Sequence, residues 1–125
     1  MKLETTLPSV PAHAEVDYTF SVKFHFNVTP FVARQKINNY LLTNVGHMLS
    51  ADEPNTLLMH NGAFWKVPVF CAYPEFKRRE HLGDLAVNVE SGEIDFAKST
   101  FASSADIEAR ADAIYNSLAT LSTGV

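Results

Sequence analysis

Residues 16–28, VDYTFSVKFHFNV, decide the fold that we predict for this chain. Apolar and polar residues alternate strictly along this stretch. Because successive side chains of a β-strand point to opposite faces, a period of two predicts a strand with one apolar and one polar face. A helix would spread the same apolar side chains around its whole circumference. The rest of the chain must therefore cover the apolar face of this strand.

The residues that follow predict a helix and then a hairpin. Thr29 is a good N-cap and Pro30 suits the first helical position. Apolar residues then recur at helical spacing: Ala33, Ile37, Tyr40, Leu41, Val45 and Met48. Asn61-Gly62 predicts a tight turn between strands at 56–60 and 63–73. Pro68 cannot donate to a ladder, which predicts an edge position or a local bulge in the second strand.

The second half of the chain predicts further strands and a last helix. Residues 74–81 read as a polar loop, 85–89 as a strand, 90–93 as a turn and 94–96 as a short return. Ser103 opens the last helix with Asp106 as its capping partner. That helix has an apolar stripe of Ile107, Ala111, Ile114, Tyr115, Leu118 and Leu121.

These elements predict an α+β domain in the order β-α-β-β-β-(β)-α. Its mostly antiparallel sheet of four to five strands curls around the first helix, and a C-terminal helix completes it. Because most connections after residue 55 are hairpins, neighbouring strands should run antiparallel. Residues 1–15 form an N-terminal arm, and residues 16–121 form a single domain.

Composition limits the classes of function. The 125 residues carry 10 basic and 14 acidic side chains, a formal charge of −4, which argues against a general nucleic-acid binder. Cys71 is the only cysteine, so no disulfide forms within the chain. No apolar stretch approaches the length that a signal peptide or a membrane span requires. These features predict a cytoplasmic protein that binds neither nucleic acid nor membrane.

A resemblance to a known family covers residues 30–96. The residues that carry it are 65–69, WKVPV, and 85–94, LAVNVESGEI, in which a strand with an aromatic leads to a strand, an acidic turn with glycine and a short apolar return. This arrangement resembles PepSY-type domains. The resemblance implies a non-enzymatic module, in that family often linked to the restraint of proteases. The meander around one helix is also similar to cystatin-like folds.

The residue types that support catalysis or metal binding are scattered. The five histidines have no ligand spacing, and Cys71 has no partner thiol, so we expect no metal and no cofactor. Cys71 falls among apolar residues of a strand, where a thiol behaves as a small hydrophobe. We expect no catalytic residue.

The predicted function is a small non-catalytic interaction or regulatory module, forming a homodimer because the long strand leaves unpaired backbone groups. One alternative is a small-ligand binder or enzyme with a cavity between the sheet and the first helix, which Tyr18, Phe24, Tyr40 and Trp65 would line. The other is a protease regulator of the PepSY type. The residues that we expect to bind a ligand or partner are Lys23, His25, Trp65, Lys77, Arg78 and Arg79.

The strand at residues 16–28 generates a mutational prediction. Phe24→Asp should unfold the domain, because an unpaired charge would enter the core. Lys23→Asp, one position away on the polar face, should be tolerated. Thermal unfolding followed by circular dichroism compares the two variants, and equal stabilities would contradict the assignment of faces.

Overall fold

The computed structural model describes residues 2–5, 25–46 and 48–123, with side chains at 25–46 and 48–121. The elements in chain order are β1 Lys2–Thr5, α1 Pro30–Asn44, β2 Leu49–Ala51, β3 Thr56–Met59, β4 Ala63–Tyr73, β5 Arg78–Asn88, β6 Ile94–Asp95 and α2 Ser104–Thr123. Short 3-10 helices occupy Pro74–Phe76 and Phe96–Lys98. The predicted α+β class with a C-terminal helix is confirmed.

One curled sheet contains all the described strands. The strands follow the order β1-β3-β4-β5-β6, and β2 pairs with β4 beyond the end of β3. Every pair is antiparallel except β1 with β3, which is parallel. The mostly antiparallel sheet is therefore as predicted. Strand β1 was not predicted: it lies within the segment expected to be an arm, and its backbone pairing with β3 makes it part of the sheet.

The hairpin between β3 and β4 is the feature that the sequence specifies most fully. Asn61 and Gly62 both have positive φ, 51° and 130°, as the tight turn requires. Pro68 lies where β4 passes from its pairing with β3 to its pairing with β2, and its carbonyl accepts from the Asp52 N–H at 3.1 Å. Since the N–H and C=O of one strand residue point to the same side, the missing donor of Pro68 faces this gap. The register shifts just beyond it, between Val69 and Phe70.

The core lies on one face of the sheet. The side chains of β4 that share this face are all buried: Trp65, Val67, Val69, Cys71 and Tyr73. Helix α1 contributes Ala33, Ile37 and Leu41 to the same cluster, and α2 contributes Ile107 and Leu118. Because both helices cover one face of β4, the sheet has its apolar side toward the helices and its more polar side away from them.

Both helices begin as predicted. The Thr29 hydroxyl accepts from the Val32 N–H at 3.2 Å, and Pro30 takes the first helical position. The Ser103 hydroxyl accepts from the Asp106 N–H at 3.3 Å, while the Asp106 carboxylate accepts from the Ala102 N–H at 3.0 Å. These bonds satisfy backbone donors that have no partner within the helix.

The strand predicted at 16–28 lies outside the described residues over 16–24, and its last four residues are not a strand. The N–H groups of Asn27 and Val28 both donate to the Val89 carbonyl, at 2.8 and 3.0 Å. Consecutive donors of a strand point to opposite sides, so this shared acceptor excludes an extended conformation. Val28 is buried as predicted, but Phe26 is 53% exposed, which corrects its inward assignment.

The loop predicted at 74–81 is shorter than expected. Lys77 adopts a left-handed φ of 52° and closes the turn, so that β5 begins at Arg78 opposite Tyr73. Arg78 and Arg79 therefore belong to a strand, because ladder pairing to β4 outweighs their polar character. Three side chains assigned to apolar stripes are instead exposed: Met48 at 47%, Tyr115 at 39% and Leu121 at 72%.

A close approach at Gly83 generates a stability prediction. A Cβ there would come within 2.8 Å of Phe101 Cζ and 2.9 Å of Thr100 Cβ, so Gly83→Ala should destabilise the fold by roughly 1–3 kcal/mol. At Gly46 a Cβ would meet nothing within 4 Å, and Gly46→Ala should change the stability by about 0.5 kcal/mol or less. Urea unfolding measures both; equal losses would contradict the packing at Gly83.

Candidate functional site

An apolar groove of about 310 Å³, the α1–α2 groove, lies over the end of β4. The floor of the groove is formed by residues 71–73, and Pro74 and Glu75 lie at one end. The first wall consists of Val45, Gly46, Met48 and Leu49. The second wall consists of Glu108, Ala111, Asp112 and Tyr115. Cys71 and Tyr73 of the floor belong to the buried face of the sheet, and the two walls come from segments that are far apart in the chain.

The groove exists because the two helices pack on the sheet but do not cover the last residues of β4. Helix α1 stops early, since the N–H groups of Val45 and Gly46 both donate to the Leu41 carbonyl at 2.9 Å and the chain turns away. Helix α2 is held by its buried Ile107 and Leu118. Between them it presents Ala111, whose methyl group is too small to fill the space beside α1.

The polar atoms on the floor are already hydrogen-bonded. The Tyr73 hydroxyl donates to the Ala111 carbonyl at 2.8 Å and thereby ties the sheet to α2. The Cys71 thiol donates weakly to the Ala72 carbonyl at 3.7 Å. Burial raises the pKa of the Cys71 thiol, the Tyr73 hydroxyl offsets part of this, and the Asp112 charge adds to it. Burial also raises the pKa of Tyr73, so both groups stay protonated at neutral pH.

Aromatic rings surround the closed end of the groove. The Tyr115 ring lies 5.5 Å from that of Phe76 and 6.4 Å from that of Tyr73, within the range of favourable tilted contacts. The Tyr115 hydroxyl donates to Glu75 Oε2 at 3.1 Å, and this bond raises the pKa of Tyr115. These contacts fix the position of the Tyr115 side chain, which is 39% exposed.

The residues predicted from the sequence as binding residues lie elsewhere. Trp65 is buried, and its indole N–H donates to the Val28 carbonyl at 2.7 Å, which makes it a structural residue that fixes the entry to α1. His25 is exposed, and its backbone N–H donates to Glu90 Oε1 at 3.0 Å. Lys23 lies outside the described residues. Trp65 and His25 are therefore placed near the end of β5 that lies away from the groove.

Two of the three residues of the basic run at 77–79 form ion pairs. Arg78 Nε lies 2.8 Å from Glu80 Oε1, and Arg79 Nη2 lies 2.7 Å from Asp52 Oδ1. The Arg79 guanidinium also stacks 3.7 Å from the centre of the Phe70 ring. Lys77 is exposed at the turn before β5. An anionic ligand would have to compete with these contacts for the two arginines.

The groove was not found from the sequence, although one signal pointed to it. The last helix carries Glu108, Asp112 and Tyr115 beside its buried stripe and has Arg110 as its one basic residue. An exposed tyrosine next to two acids on a helix is consistent with a contact surface, but the facing wall comes from residues 45–49. No pattern of spacing links segments that far apart in the chain.

In the part of the chain that the structure describes, no three His, Cys, Asp or Glu side chains are grouped so that they could hold a metal ion. Neither described helix combines the length and the apolar character that crossing a membrane requires.

The protonated floor generates a prediction about pH. A raised pKa means that folding favours the protonated form of the group. The stabilisation from this preference is fully present below the ordinary pKa of the group, and it is lost as pH rises through the raised pKa of the folded protein. The ordinary values are 9.0 for Cys71 and 10.0 for Tyr73. The free energy of unfolding should therefore fall as pH rises above about 9.

Urea titrations at a series of alkaline pH values measure this decline. In the double variant Cys71→Ala with Tyr73→Phe the groups on the floor are gone, so its decline should be flatter than that of the wild type. A double variant with the same alkaline slope as the wild type would show that the floor does not contribute.

Comparison of the chain with protein-family models, with curated proteins and with solved structures gave no match. The PepSY-like and cystatin-like resemblances therefore stay predictions.

Proposed function

We propose that the chain is a small, non-catalytic interaction module that binds its partner in the α1–α2 groove. The observation that carries this proposal is the pair of large side chains on opposite walls, Met48 and Tyr115, which are 47% and 39% exposed above an apolar floor. Tyr and Met are enriched in protein interfaces, and Met adapts its shape to different occupants. An occupant would bury both side chains and displace water from the floor.

The groups on the floor favour binding over catalysis. A nucleophile must be activated, either by an adjacent base or by a lowered pKa. Burial does the reverse for Cys71, because it raises the pKa of the thiol. The Tyr73 hydroxyl is occupied with the Ala111 carbonyl. These groups shape the floor and hold α2 in place.

A second candidate is a small-ligand binder, and the size of the groove favours it. A volume of about 310 Å³ is at the lower end of the roughly 300–1,000 Å³ typical of ligand pockets. This site differs from the cavity predicted between the sheet and the first helix, for which Tyr18, Phe24, Tyr40 and Trp65 were the expected lining. Tyr18 and Phe24 lie outside the described residues, and Trp65 belongs to the core.

Selection from a random peptide library tests the interaction module. Peptides are selected on the wild-type protein and then screened against Ala111→Trp, whose indole should fill the groove, and against Ala113→Trp as the matched control on an exposed position of α2. We expect peptides that bind the wild type and Ala113→Trp but bind Ala111→Trp at least about tenfold more weakly, the loss of about 1.4 kcal/mol.

The outcome that contradicts the proposal is a selection that yields no peptide sensitive to Ala111→Trp. Circular dichroism must first show that both tryptophan variants are folded. If Ala111→Trp does not fold, Met48→Glu with Leu42→Glu as its exposed control gives the same comparison, because Leu42 is 66% exposed and lies outside the groove.

Self-association remains part of the proposal as a homodimer. The argument rests on the strand predicted from the sequence at residues 16–28, whose described part, 25–28, is not extended, and on the unpaired backbone groups that a strand leaves at a sheet edge. Sedimentation at micromolar concentration measures the mass, and a monomer would contradict the dimer without affecting the groove.

A further inference from the structure

We infer that the partner of the α1–α2 groove is a protein segment in which one or two large apolar side chains are flanked by Lys or Arg. This inference rests on the proposed function, and it goes further by stating the chemistry of the occupant. It is carried by the combination of an apolar floor with a rim whose charged groups, among the described residues, are all acidic.

Three carboxylates line the groove, Glu75, Glu108 and Asp112, and its described lining contains no Lys, Arg or His. Glu108 and Asp112 are four residues apart on α2, so they share one side of the helix. Within the residues that the structure describes, neither of these two carboxylates forms an ion pair. They leave negative charge at the rim that a cationic partner could neutralise.

The charge of Asp112 also acts on the floor. The negative charge of Asp112 contributes to the raised pKa of both Cys71 and Tyr73, although burial is the larger cause for each. Interactions of this kind require that the carboxylate is close to the apolar surface. An occupant of the groove would therefore bring its own charges into the field of Asp112, and positive charges would be favoured.

The dimensions limit how much of a partner can enter. The wall from Glu108 to Tyr115 is about 10 Å long at 1.5 Å per residue, and the groove holds on the order of ten water molecules at about 30 Å³ each. One or two large side chains fill that space. The neighbouring residues of the same segment must then lie at the rim, where the carboxylates are.

Desolvation is the physical reason for expecting Lys or Arg there. An apolar occupant removes water from the carboxylates beside it, and a carboxylate that loses water without gaining a partner opposes binding. A flanking Lys or Arg supplies that partner, whereas a flanking Glu or Asp adds repulsion. The charge pairing should also speed association and make the affinity sensitive to salt.

A separate protein fits this chemistry better than a second copy of the chain. The basic run at 77–79 is the one such run in the sequence, and its two arginines are already paired with Glu80 and Asp52. Inserting that run into the groove of another copy would break both ion pairs. The occupant that we infer brings positive charges that are free before binding.

Fluorescence polarisation with two synthetic peptides tests the inference. The basic probe carries two leucines flanked by lysines, and the acidic probe carries the same leucines flanked by glutamates. Each is titrated with the wild type, with Glu108→Gln/Asp112→Asn, and with Glu53→Gln/Glu93→Gln, which removes two exposed acids outside the groove. Ala111→Trp and Ala113→Trp show whether the binding uses the groove.

We expect the basic probe to bind the wild type at least about tenfold more tightly than the acidic probe at low salt, with a smaller ratio at high salt. Glu108→Gln/Asp112→Asn should remove most of this preference, and the control pair should keep it. Ala111→Trp should abolish binding of the basic probe.

Other outcomes overturn the inference. If the probes bind equally, or if neither binds, the partner is not basic, yet the proposed function survives whenever the library yields peptides that Ala111→Trp excludes. A preference that the control pair removes equally would reflect net charge alone. If the protein is a dimer and Ala111→Trp dissociates it, the occupant of the groove is a second copy of the chain. If neither probe binds and a small organic amine displaces the library peptides, the occupant is a small ligand.

Discussion

Burial of one face of β4 is the constraint on which the rest of the structure depends. Five alternate side chains, from Trp65 to Tyr73, turn toward the same side and are almost completely removed from water. At about 25 cal/mol per Å² of apolar surface, burial of several such side chains is the main stabilising contribution in a domain of this size. The ladder with β5 holds the strand extended, and both helices reach the core through contacts with this face.

The same constraint explains where the groove lies. Residues at the start of β4 are covered by the chain that enters α1, where Trp65 donates to the Val28 carbonyl. Residues at its end are covered from the side by α2, through the bond from Tyr73 to Ala111. Because α1 stops at Asn44, its cover ends before the strand does. A site thus forms at the one end of β4 where the two helices leave a small side chain and a glycine between them.

Local features of the structure were predictable wherever neighbouring residues decide them. The Thr29 cap, the Asn61-Gly62 turn, the alternation along β4 and the Ser103 cap each depend on groups within a few residues of one another. Their backbone conformation follows from side-chain shape and nearby hydrogen bonding. The errors were equally specific: Phe26, Tyr115 and Leu121 have apolar side chains at the expected spacing, yet each is more than a third exposed.

By itself the sequence determined the α+β class, the hairpin meander and both helix starts, because these follow from the periodicity of apolar residues and the chemistry of turns and caps. Only the tertiary structure decided that residues 45–49 face residues 108–115 across the end of β4. It also decided that Arg78 and Arg79 of the basic run form ion pairs with Glu80 and Asp52. The physical reason is that a site between two helices depends on where each helix ends and which side chains fail to fill the space. Those properties belong to the packing of distant segments and leave no period in the chain.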